Sequence, residues 1–219
     1  MTKSSELLRA HGLRPKKSFG QNFLQDERLC GRIAVLATTP AGGTVLEIGA
    51  GLGALTRALL QRAARVVAIE RDRDLVPIVR AELGAAPGLE LVEADAVRYD
   101  WQLALAAGPG PRVIAGNLPY SITGRLVARV VEHSRRIDRG VLMVQREVGD
   151  RLAASPGSKD YGVASVFAQA AFVVERALKV PAGAFWPAPK IDSMVVSLTP
   201  HEVPRAVETD AFREVVRRA

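Results

Sequence analysis

Cysteine, aromatic residues and long apolar runs are all scarce in this chain of 219 residues. The one cysteine, Cys30, excludes a disulfide within the chain, and no Cys and His residues have the spacing of a structural zinc site. We therefore predict no metal site and a reducing compartment. The most continuous apolar stretch, 163–174, contains Ser165 and Gln169 and is shorter than the roughly 20 residues that a membrane helix needs. The first residues lack a signal-peptide pattern, so we expect a cytoplasmic protein and no membrane partner.

Acidic residues are outnumbered as well, with 23 Asp and Glu against 30 Lys and Arg, which gives a net charge of +7. Much of the excess lies at 1–32, with seven basic and three acidic residues, and at 112–151, with eight and four. Such a balance favours a polyanionic partner, nucleic acid first. A solvated basic face that keeps the protein soluble explains the charge equally well.

Short apolar runs alternate with helical periodicity through the central part of the chain. Strands are predicted at 45–48, 66–69, 89–92, 113–115 and 141–144. This alternation predicts a mostly parallel α/β sheet with helices on both faces and a ligand beyond the carboxyl ends of the strands. Further on, the pattern predicts a helix at 163–172, strands at 173–180 and 194–198, and the start of a capped helix at 209–219.

The first three predicted strand ends carry a nucleoside-binding pattern. A turn with Gly49, Gly51 and Gly53 follows the first strand, Glu70 ends the second, and Asp95 follows the third. The G-x-G-x-G spacing departs from the G-x-G-x-x-G of dinucleotide sites. A purely structural turn between strand and helix is the alternative to a ligand-binding loop. Glu70 is placed to accept the hydroxyls of a ribose, and Asp95 the amino group of adenine. The set resembles class I S-adenosylmethionine (AdoMet)-dependent methyltransferases.

The fourth strand ends in the tetrapeptide Asn117, Leu118, Pro119 and Tyr120. Pro119 fixes its own φ and favours an extended Leu118, so the Asn117 side chain and the Leu118 carbonyl can form two acceptors for an NH₂ group. A tight turn closing the strand is the alternative. Next to an AdoMet site, the tetrapeptide resembles the signature of methyltransferases that act on exocyclic amino nitrogens. Tyr120 is then expected to stack on the base.

Six blocks in order resemble the KsgA-type ribosomal RNA adenine dimethyltransferases of the small subunit, over about 16–201. The blocks are KSFGQNFL at 17–24, EIGAGLG at 47–53, GNLPY at 116–120, QREV at 145–148, SKDYG at 158–162 and FWPAPKIDS at 185–193. The resemblance implies a Rossmann-like fold with a seven-stranded, mostly parallel sheet. It also implies that the small helical C-terminal domain of the family is largely absent here. We expect an N-terminal basic and cofactor-capping segment at 1–24, a methyltransferase domain at 25–200 and the start of the C-terminal domain at 201–219.

The resemblance also implies roles for single residues. Asn22 and Leu24 are expected to close over AdoMet, and Gly49, beside Gly51, to lie against its methionine part. Glu70 would hold the ribose, and Asp95 the adenine amino group. Asn117 would lie between the cofactor and the target base, with Phe185 facing that base opposite Tyr120. Phe185 and Trp186 would otherwise form a hydrophobic plug that anchors their loop. Basic residues at Lys16, Lys17 and 125–139, Arg125 among them, are expected to bind rRNA phosphates.

The implied activity is dimethylation, by AdoMet, of N6 on two adjacent adenosines in the 3′-terminal hairpin loop of 16S rRNA, during assembly of the small subunit. We expect a monomer. Four alternatives remain: dimethylation of 23S rRNA of the macrolide-resistance type, DNA adenine methylation, a non-catalytic assembly or transcription factor that kept the fold, and an NAD-dependent oxidoreductase. The blocks at 158–162 and 185–193 favour the small-subunit family, and the glycine spacing disfavours NAD.

Overall fold

A computed structural model describes residues 4–206 and 209–218. Its helices are α1 Ser4–Ala10, α2 Glu27–Ala37, α3 Ala54–Leu60, α4 Val76–Leu83, α5 Trp101–Ala106, α6 Thr123–Glu132, α7 Arg146–Leu152, α8 Val163–Ala171 and α9 Asp210–Arg218. Its strands are β1 Phe23–Leu24, β2 Thr44–Ile48, β3 Arg65–Glu70, β4 Leu89–Glu93, β5 Arg112–Asn117, β6 Arg139–Gln145, β7 Phe172–Val180, β8 Phe185–Trp186 and β9 Ser193–Pro200. Residues 1–3, 207–208 and 219 of the predicted terminal segments lie outside this description.

The predicted seven-stranded sheet is confirmed, with the order β4-β3-β2-β5-β6-β9-β7. The pairs from β4 to β6 are parallel, and β9 is antiparallel to both of its neighbours. All five predicted central strands form within two residues of their expected ends, and so do the predicted late strands β7 and β9. The predicted helices α8 and α9 also form, and the Thr209 hydroxyl accepts a hydrogen bond from the Phe212 amide at the start of α9.

Two apolar cores lie on opposite faces of the sheet because successive strand residues point to opposite sides. In β2, Leu46 and Ile48 belong to the core that includes α5, α6 and α8 residues, whereas Val45 faces the core under α2 and α3. Burial of both faces explains why these strands read as continuous apolar runs. Within the described residues, no helix is long and apolar enough to cross a membrane.

The chain changes direction across the sheet between β2 and β5, since β3 and β4 extend to one side of β2 and β5 lies on the other. Ligands bind at such switch points in open α/β sheets. Gly116 permits the close approach there: a Cβ atom at this position would lie 2.4 Å from the Ile48 carbonyl oxygen. The ends of β2 and β5 therefore meet with no side chain between their backbones at that point.

Three elements near the N-terminus, the helices α1 and α2 and the strand β1, were not predicted from the sequence. Helix α1 precedes the first predicted strand, and β1 pairs with β8 in a separate two-stranded sheet, with Phe23 opposite Trp186 and Leu24 opposite Phe185. Each of these strands has two residues, which is too short for a pattern of alternation to appear. The pairing joins the N-terminal segment to the proline-rich loop that precedes β9.

The contacts of Arg129 differ from the prediction that the basic residues at 125–139 bind phosphates, because this side chain binds inside the fold. Its Nη1 donates to the carbonyl oxygens of Ala96, Val97 and Tyr99 at 2.8–2.9 Å, and its guanidinium lies 4.4 Å from the centroid of the Trp101 ring. Arg139 is also engaged inside the fold, because its Nη1 donates to the Leu36 carbonyl at 2.8 Å. These two side chains stabilise the fold, since the Nη1 atom of each donates to backbone carbonyls.

We expect Arg129→Lys to lower the free energy of unfolding by about 1–3 kcal/mol, because a lysine ammonium cannot match a planar guanidinium that binds three carbonyls and stacks on an indole. Urea unfolding followed by circular dichroism measures the change. Arg125→Lys, at an exposed position of the same helix α6, is the matched control and should leave stability within about 0.5 kcal/mol. Equal losses in the two variants would contradict the assignment.

Candidate active site

A pocket lies at the carboxyl ends of the parallel strands, where the switch point predicts one. It is lined by the loop after β2, the residues that follow β3, β4 and β5, and the segment 18–24. All predicted cofactor residues line it, namely Asn22, Leu24, Gly49, Gly51, Glu70, Asp95 and Asn117. The rest of the tetrapeptide that was predicted to be catalytic, Leu118, Pro119 and Tyr120, also lines the pocket. Four predicted substrate residues do not belong to this lining: Lys16, Lys17, Arg125 and Phe185.

The glycine-rich loop requires its glycines. Gly49, Gly51 and Gly53 have φ values of 78°, 58° and 81°, in the left-handed region that side chains with a Cβ rarely adopt. The amide of Gly49 donates to the Ile69 carbonyl at 2.9 Å, so the loop is tied to β3. The G-x-G-x-G spacing thus reflects three left-handed positions in one turn, and it brings bare backbone to the pocket.

Glu70 is held in one orientation at the end of β3. Its Oε2 accepts from the Gly51 amide at 2.8 Å and its Oε1 from the Asp72 amide at 2.8 Å. Burial raises the pKa of Glu70, and the hydrogen bonds from the backbone amides oppose that shift. Each carboxylate oxygen keeps capacity for another donor. The geometry suits a carboxylate that accepts two hydroxyl groups.

Asp95 lies two residues beyond the end of β4 and is also fixed. Its Oδ1 accepts from the Val97 amide at 2.9 Å, and its Oδ2 lies 3.7 Å from Nη1 of Arg71. Arg71 lines the pocket as well and was not predicted from the sequence. Its guanidinium lies 5.5 Å from the centroid of the Phe19 ring, which belongs to the segment over the pocket.

The side-chain amide of Asn117 is oriented by the N-terminal segment. Its Nδ2 donates to the Asn22 carbonyl oxygen at 3.1 Å, across 95 residues of sequence. This bond identifies the amide nitrogen, because a carbonyl can only accept, and it leaves Oδ1 as an acceptor. The Leu118 amide donates to the Met143 carbonyl at 3.0 Å, and Pro119 has φ −58°. The tetrapeptide is therefore fixed on both sides of the predicted acceptor pair.

Tyr120 lies in the pocket with its hydroxyl group bound. The Tyr120 Oη and Ser193 Oγ atoms are 2.8 Å apart, and Ser193 is buried at the start of β9. Burial raises the pKa of Tyr120, so the phenol stays neutral at physiological pH. The aromatic ring is thus held at its distal end, which the sequence did not predict.

Phe185 takes a different place from the one expected. Its side chain is 3% exposed and packs in the core under α2 and α3, through the pairing of β8 with β1. This arrangement corresponds to the hydrophobic plug that was the alternative. A contact between Phe185 and the target base stays a prediction and requires a movement of the loop.

The predicted basic residues divide into bound and exposed groups. The ammonium of Lys16 donates to Asp72 at 2.5 Å and to Asp74 at 2.6 Å, so two carboxylates already occupy it. The structure thus gives Lys16 internal partners, and its contact with an rRNA phosphate stays a prediction. Lys17 and Arg125 are exposed, and their contacts with rRNA phosphates stay predictions.

A sequence model of the family described as Ribosomal RNA adenine dimethylase matches residues 12–219 of this chain. The chain belongs to the ribosomal RNA adenine dimethylase family. The predicted enzyme class, an AdoMet-dependent rRNA adenine dimethyltransferase, is confirmed by this membership, and so is the resemblance from which it was inferred.

Curated relatives of this dimethylase carry one recurring name, Ribosomal RNA small subunit methyltransferase A. The protein from Anaeromyxobacter sp. strain K is 47% identical over 220 residues, which cover 96% of this chain and 77% of that protein. The protein from Myxococcus xanthus is 42% identical over 219 residues, covering 99% and 76%.

Solved structures of the same kind confirm the Rossmann-like fold of the dimethylase. A dimethyladenosine transferase from Plasmodium falciparum superposes with a TM-score of 0.77 at 28% identity, over 89% of this chain and 69% of that one. The 23S rRNA methyltransferase ErmE superposes with a TM-score of 0.75 at 29% identity, over 90% and 78%.

Glu47 tests whether the pocket of the dimethylase fits AdoMet. This residue is fully buried in β2 and lines the pocket, and neither of its carboxylate oxygens has a hydrogen-bond partner among the described residues. Burial raises the pKa of Glu47 to about 8, and the nearby Thr56 hydroxyl opposes this shift. That hydroxyl has no hydrogen bond of normal geometry among the described residues. A buried carboxylate without a partner is costly to ionise, and a bound cation would stabilise its ionised form. AdoMet carries two positive groups, a sulfonium and an ammonium, so the pocket fits it.

The raised pKa of Glu47 makes the stability of the ligand-free dimethylase depend on pH. Between its ordinary value of 4.5 and about 8, the folded chain keeps a proton that the unfolded chain has released. Stability therefore falls as pH rises through this window, with a slope of at most about 1.4 kcal/mol per pH unit from this group. We expect Glu47→Gln to remove that slope in urea unfolding at pH 5, 6.5 and 8.

Glu90→Gln, at an exposed position of β4, is the control, because it also removes one carboxylate and shows how much of the change in stability comes from that loss of charge alone. Parallel stability curves for Glu47→Gln and the wild type over the whole window would show that Glu47 does not hold the extra proton.

Proposed function

We propose that this chain transfers methyl groups from AdoMet to N6 of two adjacent adenosines in the 3′-terminal hairpin loop of 16S rRNA, giving dimethyladenosine at both. The observation that carries the proposal is the orientation of Asn117, whose Nδ2 is bound by the Asn22 carbonyl so that Oδ1 remains to accept from an amino group. Membership of the dimethylase family and the names of the curated relatives support the substrate.

The residues that would hold AdoMet surround one end of the pocket. Gly49 and Gly51 offer backbone, Glu70 offers an oriented carboxylate to the ribose, and Asp95 offers one to the adenine amino group. When bound, AdoMet supplies an electrophilic methyl group on its sulfonium sulfur. Glu47 lies in the same pocket as a carboxylate that a cationic ligand would stabilise in its ionised form.

Asn117 and Leu118 address the difficulty of the reaction, which is the weak nucleophilicity of the adenine amino nitrogen. Its lone pair is conjugated with the ring. Hydrogen bonds from both N–H groups to Asn117 Oδ1 and the Leu118 carbonyl favour a pyramidal nitrogen with a free lone pair and fix its direction. A strong base is not required, because the nitrogen becomes cationic on methylation and then loses its proton readily to water.

Tyr120 holds the plane of the base in this proposal. An adenine presented from an RNA loop is unstacked, and an aromatic ring replaces the lost stacking. The bond to Ser193 Oγ keeps the ring of Tyr120 from rotating away. The base would therefore meet a surface that is already in place.

The small-subunit substrate is favoured over 23S rRNA by sequence and not by shape. The fold superposes almost equally on the Plasmodium falciparum enzyme and on ErmE, with TM-scores of 0.77 and 0.75. Identity differs more, at 47% with a small-subunit methyltransferase and 29% with ErmE. An assay that offers both RNAs separates the two candidates.

The remaining parts of the proposal concern context. A cytoplasmic, monomeric enzyme would act on the assembling small subunit, with the exposed Lys17 and Arg125 contributing to phosphate binding. Binding of this kind weakens as salt rises. Lys16 and Arg129, which are held by internal partners, would contribute little to that dependence.

We expect the chain to transfer labelled methyl groups from AdoMet to small ribosomal particles that lack the modification, at two adjacent adenosines mapped by primer extension. Asn117→Ala should lower the rate on the order of 100-fold or more, because it removes one of two acceptors that act on the reacting nitrogen. Gln102→Ala removes an exposed amide outside the pocket and should leave the rate unchanged.

If the chain labels 23S rRNA in preference to the small ribosomal particles, the proposed substrate is wrong and 23S rRNA is the substrate. Cofactor binding, measured by calorimetry, with no transfer to either RNA would favour a non-catalytic assembly factor.

A further inference from the structure

Asp72 is a buried carboxylate that the proposed mechanism does not use. It lies two residues after Glu70 and is 2% exposed. Its Oδ1 accepts from Lys16 Nζ at 2.5 Å and from the Asp74 amide at 3.1 Å, and its Oδ2 accepts from Gln21 Nε2 at 2.6 Å. Burial alone would raise its pKa, but the bonds from these three groups outweigh burial and hold the pKa below its ordinary range. Asp72 is therefore ionised at neutral pH, and both of its carboxylate oxygens accept hydrogen bonds.

The partners of Asp72 belong to the segment that covers the pocket. Lys16 and Gln21 bracket the turn Lys17–Phe19, and the Lys16 amide donates to Gln21 Oε1 at 2.8 Å, which leaves Gln21 Nε2 for Asp72. The Lys16 ammonium also lies 5.5 Å from the centroid of the Phe19 ring. One carboxylate thus binds both ends of a closed loop of the segment.

Gln21 is next in sequence to Asn22, the residue whose carbonyl orients Asn117. The side chain of Asp72 fixes Gln21, and the Asn22 carbonyl accepts from Asn117 Nδ2 at 3.1 Å. In the other direction, the Asp72 amide donates to Glu70 Oε1 at 2.8 Å. Asp72 is therefore connected directly to Glu70, the carboxylate assigned to the ribose. Through the adjacent residues Gln21 and Asn22 it is also connected to Asn117, the amide assigned to the reacting nitrogen.

We propose that Asp72 is a positioning residue of the methyl transfer, which holds the segment 16–22 so that the Asn22 carbonyl sets the orientation of Asn117. The expected effect on kcat rests on the proposed function. The claim that Asp72 holds the segment 16–22 in place concerns the protein alone and can be tested without substrate. Asp72→Asn keeps the backbone bond to Glu70 and the size of the side chain, but it offers one acceptor oxygen in place of the two that bind three donors in the carboxylate.

We expect Asp72→Asn to lower kcat on the order of 10- to 100-fold at saturating AdoMet, since a small misplacement of a reacting group has effects of that size. KM for the ribosomal particles should change less than kcat, because in the described structure Asp72 binds neither Lys17 nor Arg125, the side chains proposed to contact phosphates. Hydrogen exchange at the amides of Phe19 and Gly20, which donate to Lys16 and Lys17 carbonyls, should speed up in the same variant.

Two further variants make the test specific. Gln21→Met removes the link to Asp72 that lies next to Asn22 and leaves the Lys16–Asp72 pair at the other end of the segment, so it should reproduce the loss in kcat even if Asp72→Asn folds poorly. Asp74→Asn removes the second carboxylate of Lys16, which is 43% exposed and bonded to neither Gln21 nor Glu70 in the described structure. Its kcat should stay within about twofold of the wild type.

The outcomes separate the two claims. If the wild type methylates the particles but Gln21→Met keeps a normal kcat, or Asp74→Asn loses as much as Asp72→Asn, the positioning role is wrong. If the wild type methylates nothing, the proposed function fails, and the exchange rates of the segment still decide the positional claim: unchanged rates in both Asp72→Asn and Gln21→Met would overturn it.

Discussion

The end of β5 lies directly against the end of β2, and the site depends on that close approach. Gly116 makes it possible, because any Cβ there would meet the Ile48 carbonyl at 2.4 Å. The same approach brings the loop at Gly49 next to Asn117, since a Cβ on Gly49 would lie 3.6 Å from the Asn117 carbonyl oxygen. The residues assigned to the cofactor and those assigned to the target amine are neighbours for this reason. A wider spacing of the two strands would separate the two halves of the reaction.

The pocket is acidic although the chain carries a net charge of +7. Glu47, Glu70 and Asp95 all line it, and the buried Asp72 follows Glu70 by two residues. Carboxylates gathered in a low-dielectric site repel one another and favour a cationic ligand. The exposed basic residues suit a polyanion. The sulfonium cofactor and the phosphates of the RNA, as proposed, thus meet surfaces of opposite sign.

The parts of the fold and site that could be predicted from the sequence are those set by local pattern. The continuous apolar runs of the central strands reflect burial on both faces, and the residue at a strand end, such as Glu70 or Asn117, inherits its position from the strand. Contacts between distant segments leave no such pattern. The pairs Lys16 with Asp72 and Tyr120 with Ser193 span 56 and 73 residues. Arg129 shows the same limit, because a basic residue on a polar helix face reads as exposed until the carbonyls of a neighbouring loop are seen around it.

Two successive transfers to one nitrogen place unequal demands on the acceptors in the proposed reaction. An unmodified amino group has two N–H donors for Asn117 Oδ1 and the Leu118 carbonyl. After one transfer it has a single N–H, so one of the acceptors loses its donor and the nitrogen is oriented by one hydrogen bond. The remaining orientation must come from the base plane, which Tyr120 would hold through a ring fixed by Ser193. Loss of the Tyr120 ring should therefore slow the second transfer more than the first, and monomethyladenosine would then accumulate as the visible product.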